Sequence, residues 1–366
     1  MASKRIKKKR RKRDGQCALC GALIDFNKAD YVVGITGKTV CGKCFTAGKH
    51  TIPPPLSKLE SECEGVITPS ALIQRLNSKI IGQDQAKRAV AVALWKQQLR
   101  AKGLDLPNSG LLLYGPTGCG KTALVREAAN IAGLPFLCFD ATTLTETGYR
   151  GKEASDILRE LVSRFGPEKA RCGVVFLDEV DKLAATKENS YRASYSRGTQ
   201  HSLLKLLDGG EFTIEDASLS SKDILFLFGG AFSGLRDEKA GMLHRTPIGF
   251  CSEEVSSAKD ANLTMEDLIG WGMEPELMGR IGRIVPLHPL DKTHLRSILL
   301  HSDLSVYRRY QLSFARQGYT VDFSEPEIDG LIEQASALGL GARGLNALVE
   351  ERMEDKLMQW SEGVNA

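Results

Sequence analysis

A glycine-rich run, GPTGCGKT, carries the clearest chemistry in this sequence. It has the spacing G-x-x-x-x-G-K-T, follows the apolar run LLLY and precedes a segment with helical periodicity. In such a loop the backbone N–H groups surround phosphates, the lysine reaches the β and γ oxygens, and the threonine hydroxyl binds Mg²⁺. The run therefore predicts a site for ATP and Mg²⁺ built from Gly115, Pro116, Thr117, Gly118, Cys119, Gly120, Lys121 and Thr122.

An acidic pair, Asp178 and Glu179, directly follows the apolar run VVFL. If VVFL is a buried strand, Asp178 lies at the carboxyl edge of the sheet, where a carboxylate can bind Mg²⁺. Glu179 could then orient and deprotonate a water molecule for attack on the γ-phosphate. Alone, such a pair is typical of a solvated helix start, but downstream of a phosphate loop we interpret it as catalytic.

Four cysteines form two C-x-x-C pairs, Cys17 with Cys20 and Cys41 with Cys44. Each pair can turn two thiolates toward one tetrahedral ion, so the spacing predicts a structural Zn²⁺ site without an open coordination position. A segment this small cannot form a sufficient core, and the metal would supply much of its folding free energy. The alternative interpretation is two unrelated redox or structural pairs.

The elements that position these residues follow from hydrophobic periodicity. Residues 83–100 and 121–132 show helical periodicity, whereas the apolar runs at 111–114, 173–177 and 224–228 have the length of strands. Continuous apolar runs suit a parallel sheet that is covered on both faces. Strands that alternate with helices therefore predict an α/β fold, with helices packed around a parallel sheet.

Composition divides the chain into several regions. After Pro289 the pattern changes to helices with one short strand predicted at 319–323, which indicates a second, smaller domain. Three consecutive prolines upstream favour an extended linker. The predicted organisation is a disordered basic tail at 1–14, a zinc-binding domain at 15–50, a linker at 51–65, a large domain at 66–288 and a small domain at 289–366.

Charge is unevenly distributed along the 366 residues. Residues 4–13 hold nine of the 49 Lys and Arg side chains and no acid, which leaves 40 basic residues against 45 acidic ones elsewhere. We therefore expect binding to nucleic acid or to an anionic membrane surface only through residues 4–13, unless these form a solvated tail. Without an apolar run of membrane-spanning length, and with cysteines at metal-type spacing, we expect a cytoplasmic protein.

In their order along the chain, these motifs resemble the ClpX family of AAA+ ATPases. The segments that carry the resemblance follow the paired cysteines and are IIGQDQAK at 80–87, GPTGCGKT, LDEVDK, GGAF at 229–232 and GARGL at 341–345. The similarity covers about residues 15–358. It implies a large domain of three layers, α/β/α, and a small, mostly helical domain. It also implies a homo-hexameric ring that unfolds proteins with ATP and passes them to a ClpP-type peptidase.

The resemblance implies further nucleotide contacts. Ile80 and Ile81 match the segment that lies against the adenine base, although an apolar pair before a helix would also account for them. Arg280 matches the arginine finger that reaches the ATP of a neighbouring subunit, where it neutralises transition-state charge. Arg283 is the alternative finger, and either arginine could instead form a surface ion pair. Arg343 matches the sensor-2 arginine, which contacts the nucleotide from the small domain.

Two loops are implied to contact other proteins. Tyr149 and Arg150, which two glycines flank, match the pore loop whose aromatic side chain grips the translocating polypeptide. Glycines favour an exposed loop, and the alternative is an ordinary loop anchor. Ile248, Gly249 and Phe250 match the loop that docks onto ClpP, with a tucked-in apolar loop as the alternative.

Four features depart from the family pattern. Arg150 replaces an aliphatic residue and adds a positive charge to the pore. Segment 208–223 is short and acidic and lacks the family's Arg-Lys-His loop, which argues against recognition of the usual degradation tags. The chain stops soon after Trp360, where the family's small domain continues, so the resemblance is a weaker guide to how the subunits pack. Cys119 stands in place of serine, either as a tolerated small residue or as a thiol whose oxidation would block ATP binding.

The leading hypothesis is an ATP-dependent protein unfoldase that delivers unfolded or tagged proteins to a ClpP-type peptidase. One alternative is an AAA+ remodeller of nucleic-acid-associated complexes that would use the zinc domain and the basic tail. The zinc region lacks the interleaved basic and aromatic residues of nucleic-acid readers, which argues against this alternative. A second alternative is an unfoldase that acts without a peptidase.

Overall fold

The computed structural model divides into two compact units, Met1–Glu64 and Gly65–Ala366. In the second unit it describes residues 65–145, 151–185, 190–214, 217–244, 262–316 and 320–361. In the first unit it describes four short strands, which form two antiparallel pairs. These strands are β1 (Gly15–Gln16), β2 (Leu23–Ile24), β3 (Tyr31–Val33) and β4 (Thr39–Cys41).

The predicted zinc ligands fall mostly outside this description. Cys41 is the last residue of β4, whereas Cys17, Cys20 and Cys44 lie outside the described residues. The four-cysteine site therefore stays a prediction from spacing.

The second unit begins with alternating helices and strands and ends in helices. Its strands are β5 (Leu111–Tyr114), β6 (Phe136–Asp140), β7 (Val174–Asp178), β8 (Glu211–Ile214), β9 (Ala217–Ser220), β10 (Leu225–Gly230) and β11 (Arg283–Pro286). Its helices are α1 (Pro69–Asn77), α2 (Asp84–Ala101), α3 (Lys121–Ala132), α4 (Ala154–Phe165), α5 (Pro167–Ala170), α6 (Ser190–Leu207), α7 (Ser233–His244), α8 (Met265–Trp271), α9 (Pro275–Ile281), α10 (Lys292–His301), α11 (Val306–Ala315), α12 (Glu325–Leu338) and α13 (Gly341–Ser361). Of the helices described here, none combines the length and the apolar character that crossing a bilayer requires.

Five of the described strands form a parallel sheet in the order β11-β5-β10-β7-β6. Every residue of β5 and β10 is buried, as expected for central strands of a parallel sheet with both faces covered. The register pairs Gly230 with Tyr114 and Asp140 with Asp178, so the carboxyl ends of these strands meet at one edge. The phosphate-loop run leaves β5 at this edge.

The two faces of the sheet enter different cores. On one face, Leu112 and Phe228 pack in a core with side chains of α4 and α6. On the other face, Leu111 and Leu227 pack with side chains of α1, α2 and α3. Successive strand residues alternate between the two cores because strand side chains point to opposite faces. This arrangement confirms the predicted α/β fold, a parallel sheet between two layers of helices.

Helices α10 to α13, called the helical part below, enclose a third core. The strand predicted at 319–323 is wrong, because described residues 320–323 form no strand. Phe323 reaches the third core from a segment without regular secondary structure, and its N–H donates to the Tyr307 hydroxyl at 2.9 Å. The two rings stack with centroids 4.7 Å apart, so a contact with α11 replaces strand pairing.

The short acidic segment that departs from the family pattern contains a hairpin. Strands β8 and β9 pair antiparallel, with Glu211 opposite Ser220 and Ile214 opposite Ala217. Ile214 is buried in the first core, which anchors the hairpin against the sheet.

Candidate nucleotide-binding site

The phosphate-loop run forms a strand–loop–helix unit. Strand β5 ends at Tyr114 and helix α3 begins at Lys121, so the loop opens at a helix N-terminus. Gly118 has φ +76°, and a Cβ there would lie 1.9 Å from the carbonyl oxygen of Leu340. Only glycine therefore fits this point, both for its left-handed backbone and for the approach of the helical part. Backbone N–H groups and a helix N-terminus together favour phosphate.

Lys121 lies over its own loop. Its ammonium donates to the carbonyl oxygens of Gly115 at 2.7 Å and of Pro116 at 3.1 Å. A lysine held in this position can exchange these carbonyls for phosphate oxygens without moving far along the loop. The side chain is half-buried, which keeps the charge beside the loop.

Thr122 and Asp178, which lie far apart in sequence, meet in the structure. The Thr122 hydroxyl donates to Oδ2 of Asp178 at 2.5 Å, and Oδ1 of Asp178 accepts the Glu179 N–H at 3.0 Å. A hydroxyl and a carboxylate are the hard oxygen donors that Mg²⁺ prefers. The residues predicted to hold Mg²⁺ thus form one donor set at the carboxyl edge of the sheet.

Glu179 lies beside this donor set with an exposed side chain. Its φ of +58° is uncommon for a residue that is not glycine, and such strained positions cluster at functional sites. The turn that follows β7 produces this conformation, and a short 3₁₀ helix, Val180–Leu183, begins next. The carboxylate at this point can accept a proton from water.

A cavity of about 620 Å³ connects the loop, the acidic pair and the helical part. Volumes in this range are typical of small-molecule sites. The lining includes Lys121, Thr122, Asp178, Glu179 and Arg343, so the structure brings together most of the residues predicted from the sequence. Arg343 enters the cavity from the first turn of α13.

The helical part also touches the phosphate loop through backbone. The Ala342 N–H donates to the Gly118 carbonyl at 3.0 Å. A Cβ on Gly341 would lie 2.7 Å from that same oxygen, so glycines on both sides permit the contact. A change in the loop can therefore be transmitted directly to α13.

Sequence reasoning missed several residues of this cavity. Asp181 has a nearly buried side chain whose Oδ1 accepts the Ala231 N–H at 3.2 Å, which ties LDEVDK to the end of β10. Its position in LDEVDK was the available signal. The other polar lining residues that were missed are Arg126, Lys182, Ser233 and Asn346. Arg126 follows Thr122 by four residues and so shares its helix face, which periodicity could have revealed.

The two isoleucines predicted to contact adenine do not line this cavity. Ile80 is buried in the second core, with 7% of its surface exposed, and Ile81 is half-buried. The burial of Ile80 agrees with the alternative of an apolar residue before a helix. An adenine contact by this segment stays a prediction.

Cys119 has the environment of a packing residue. It is buried in the second core, and burial raises the pKa of its thiol even though Lys121 lies nearby. Because the thiolate is the form that oxidants attack, a raised pKa lowers reactivity at neutral pH. The environment favours the tolerated small residue over the oxidation switch.

The two candidate fingers occupy different surroundings. Arg280 is in the last turn of α9, is half-exposed, and its guanidinium lies 2.8 Å from Oδ1 of Asp208. Arg283 begins β11 opposite Leu111, at the amino end of that strand pair. Arg283 therefore lies at the edge of the sheet away from the phosphate loop.

The residues predicted to contact other proteins lie outside the described residues. This holds for Tyr149 and Arg150 and for Ile248, Gly249 and Phe250. Their assignments stay predictions.

Comparison with known proteins gives the family. Residues 111–228, which span β5 to β10, match the "ATPase family associated with various cellular activities (AAA)". The "ATP-dependent Clp protease ATP-binding subunit ClpX" of Borrelia duttonii (strain Ly) is 33% identical over 94% of this chain and 86% of its own length. The chain belongs to the ClpX family. Proteins of the same name from Treponema denticola and Porphyromonas gingivalis are 32% and 30% identical, over 94% and 97% of this chain and 89% and 93% of their own lengths.

Membership of the ClpX family and the AAA match make this chain an ATPase. The resemblance inferred from the order of the motifs is confirmed. The cavity of this ATPase is lined by residue types that suit ATP and Mg²⁺, because Lys121 offers an ammonium group and Thr122 and Asp178 offer oxygen atoms.

Proposed function

We propose that this chain is an ATP-driven protein unfoldase that pulls polypeptides through the pore of a homo-hexamer. The observation that carries the proposal is the backbone contact between Ala342 and Gly118, at 3.0 Å, beside Arg343. It joins the phosphate loop to the helical part, so a change at the γ-phosphate alters how the two parts meet. The relatives are named as ATP-binding subunits of an ATP-dependent Clp protease, which supports the same proposal.

The proposed hydrolysis uses residues that share the cavity. Lys121 would bind the β and γ oxygens of ATP, and Thr122 and Asp178 would hold Mg²⁺, whose charge would offset that of the phosphates. Glu179 orients the attacking water and accepts its proton. Arg343 contacts the nucleotide from the helical part.

Arg280 acts across the proposed ring, on the ATP of the next subunit. It is half-exposed at the end of α9, as a residue that reaches a neighbour must be. A finger of this kind contributes about 10³–10⁵-fold to the rate. An arginine acting in trans requires an oligomer, so this role of Arg280 and the homo-hexamer are proposed together.

The remaining assignments complete the proposed machine. Tyr149 and Arg150 grip substrate in the pore, and Ile248, Gly249 and Phe250 dock onto a ClpP-type peptidase. The four cysteines would hold structural Zn²⁺ in the domain at 15–50. The large ATPase domain spans 66–288 and the small domain 289–366, close to where the third core begins.

Glu179→Gln tests the proposal. We expect this variant to bind ATP but to hydrolyse it about 10²–10⁴-fold more slowly, because the water loses its base. It should therefore retain an unfolded polypeptide in a pull-down made with ATP and release it with ADP. Glu266→Gln, an exposed acid on α8, is the matched control and should behave like the wild type.

The proposal fails on a specific combination of results. If ATPase activity is not raised by any unfolded polypeptide, and Tyr149→Ala matches the wild type in substrate unfolding, the chain is not a translocating unfoldase. Unchanged association with a ClpP-type peptidase after Phe250→Ala would remove the docking assignment alone.

A further inference from the structure

The segment from Ser78 to Gln83 lies between the phosphate loop and the helical part. At the end of α10, the Ser302 hydroxyl donates to the Lys79 carbonyl at 2.6 Å, and the Asp303 N–H donates to the Ser78 carbonyl at 2.9 Å. The helical part is thus hydrogen-bonded to the chain that enters α2.

Gly82 brings the same segment against α10. A Cβ at this position would lie 3.2 Å from the ring of His294, which lies in the first turn of α10. Gly82 has φ +66°, and the next residue, Gln83, has φ +60°. Two successive left-handed residues make a sharp turn directly before α2.

Gln83 occupies the N-cap position of α2 but does not cap the helix. A capping side chain normally accepts a hydrogen bond from the first helical turn. The amide of Gln83 instead points to His288: its Oε1 accepts the His288 N–H at 3.0 Å, and its Nε2 donates to the His288 carbonyl at 2.8 Å. The same Nε2 lies 3.4 Å from the Cys119 carbonyl in the phosphate loop.

His288 lies where the chain leaves the sheet for the helical part. The preceding residue, Leu287, donates its N–H to the Tyr114 carbonyl at 2.7 Å, which continues the β11–β5 pairing. Pro289 follows, and Asp291 caps α10. Residues 287–291, called the connection below, therefore join the two parts, and Gln83 holds the connection and the phosphate loop with one amide.

Gln83 also stores strain. A glutamine in the left-handed region persists only where its surroundings hold it there, and strained positions of this kind cluster at switches. Here the surroundings are the paired hydrogen bonds to the His288 backbone. The contact of the same amide with the Cys119 carbonyl places these bonds directly beside the phosphate loop.

We propose that Gln83 is a positioning residue that transmits the nucleotide state of the phosphate loop to the connection, so that the helical part turns with each hydrolysis. This inference rests on the proposed function, because it assigns the path by which hydrolysis becomes movement. Gln83 touches backbone groups on both sides, and the side-chain amide is the group that carries the coupling.

Two variants of the full chain separate the amide from the strain. Gln83→Gly accepts the left-handed backbone freely and removes the amide. Gln83→Glu keeps the shape but loses the Nε2 donor and places a carboxylate beside two carbonyl oxygens. Gln98→Glu is the matched control, because Gln98, on α2, also joins two backbone groups with its side-chain amide. Its Oε1 accepts the Ile67 N–H at 3.0 Å, and its Nε2 donates to the Ala132 carbonyl at 2.6 Å.

The decisive readout is unfolding per ATP hydrolysed, measured with a green fluorescent protein that carries an unstructured extension. We expect Gln83→Gly and Gln83→Glu to lower this ratio about tenfold, the upper range for residues on a coupling path. Gln98→Glu should lower the thermal midpoint and leave the ratio at the wild-type value. A wild-type ratio in both Gln83 variants overturns the inference, as does a raised KM for ATP with an unchanged ratio.

A second measurement is independent of substrate. Fluorescent labels at the exposed positions Asn130 on α3 and Ala337 on α12 report the distance between the two parts. We expect this distance to differ between ATP and ADP in the wild type and to be insensitive to nucleotide in Gln83→Gly. If the wild type unfolds no substrate, the proposed function fails, but the distance measurement still tests the inference about Gln83. A distance that differs between ATP and ADP in Gln83→Gly as it does in the wild type overturns the inference.

Discussion

Replacing Gly341 with alanine tests how the helical part is seated on the phosphate loop. The added Cβ would lie 2.7 Å from the Gly118 oxygen and 2.9 Å from its carbon, and real Cβ contacts do not fall below 3.0 Å. The two backbones must separate by several tenths of an ångström, which weakens the 3.0 Å hydrogen bond from Ala342. Gly339 offers a matched control, because its φ of +65° resembles the +56° of Gly341 but no atom lies near its Cβ.

The expected magnitudes follow from these contacts. Both variants place alanine in the left-handed region, at a cost of about 1–2 kcal/mol. Gly341→Ala also loses a hydrogen bond worth about 1 kcal/mol. It moves Arg343 away from the cavity, and losing a charged hydrogen bond to phosphate costs about 1.5–3 kcal/mol. We therefore expect the affinity for ATP to fall about 10- to 100-fold in Gly341→Ala.

Two assays separate the outcomes. Urea denaturation without nucleotide gives the free energy of unfolding, and calorimetric titration with ATP gives the Kd. Gly339→Ala should lose stability and bind ATP with the wild-type Kd, whereas Gly341→Ala should lose both. Equal Kd values for the two variants would refute the argument that this backbone contact seats the helical part.

Four further predictions follow from single residues. Arg280→Ala should retain ATP binding and lose about 10³-fold or more in the ATPase rate, measured with the assembled oligomer. Cys119→Ser should keep the wild-type ATPase rate, and hydrogen peroxide at neutral pH should inactivate neither protein, because burial raises the pKa of the Cys119 thiol. The hydrogen bond from the Ser324 N–H is the largest of the contacts that lower the pKa of Glu327. The difference in free energy of unfolding between the wild type and Glu327→Gln, measured by urea denaturation, should therefore shrink as the pH falls below about 4.3. Elemental analysis should find about one zinc per chain, lost in Cys17→Ser.

Local motifs made the phosphate loop and the acidic pair predictable, because each depends on neighbours a few residues away. Other elements lacked such a signal. Strand β6 (Phe136–Asp140) lies at the edge of the sheet and alternates half-buried and buried residues, unlike the continuous runs of the central strands. The false strand at 319–323 arose because Phe323 is apolar and buried, yet it packs on Tyr307 of α11 and has no strand partner.

The sequence by itself determined the chemistry of this protein: the loop that binds phosphate, the carboxylates beside it and the order of motifs that marks the ClpX family. These are local, and a few consecutive residues contain them. The tertiary structure decided how the parts communicate. The amide of Gln83 meets the backbone of His288, which is 205 residues away, and Ala342 meets Gly118. Each of these contacts involves at least one backbone group, and since every residue carries the same backbone groups, only folding selects which of them are met.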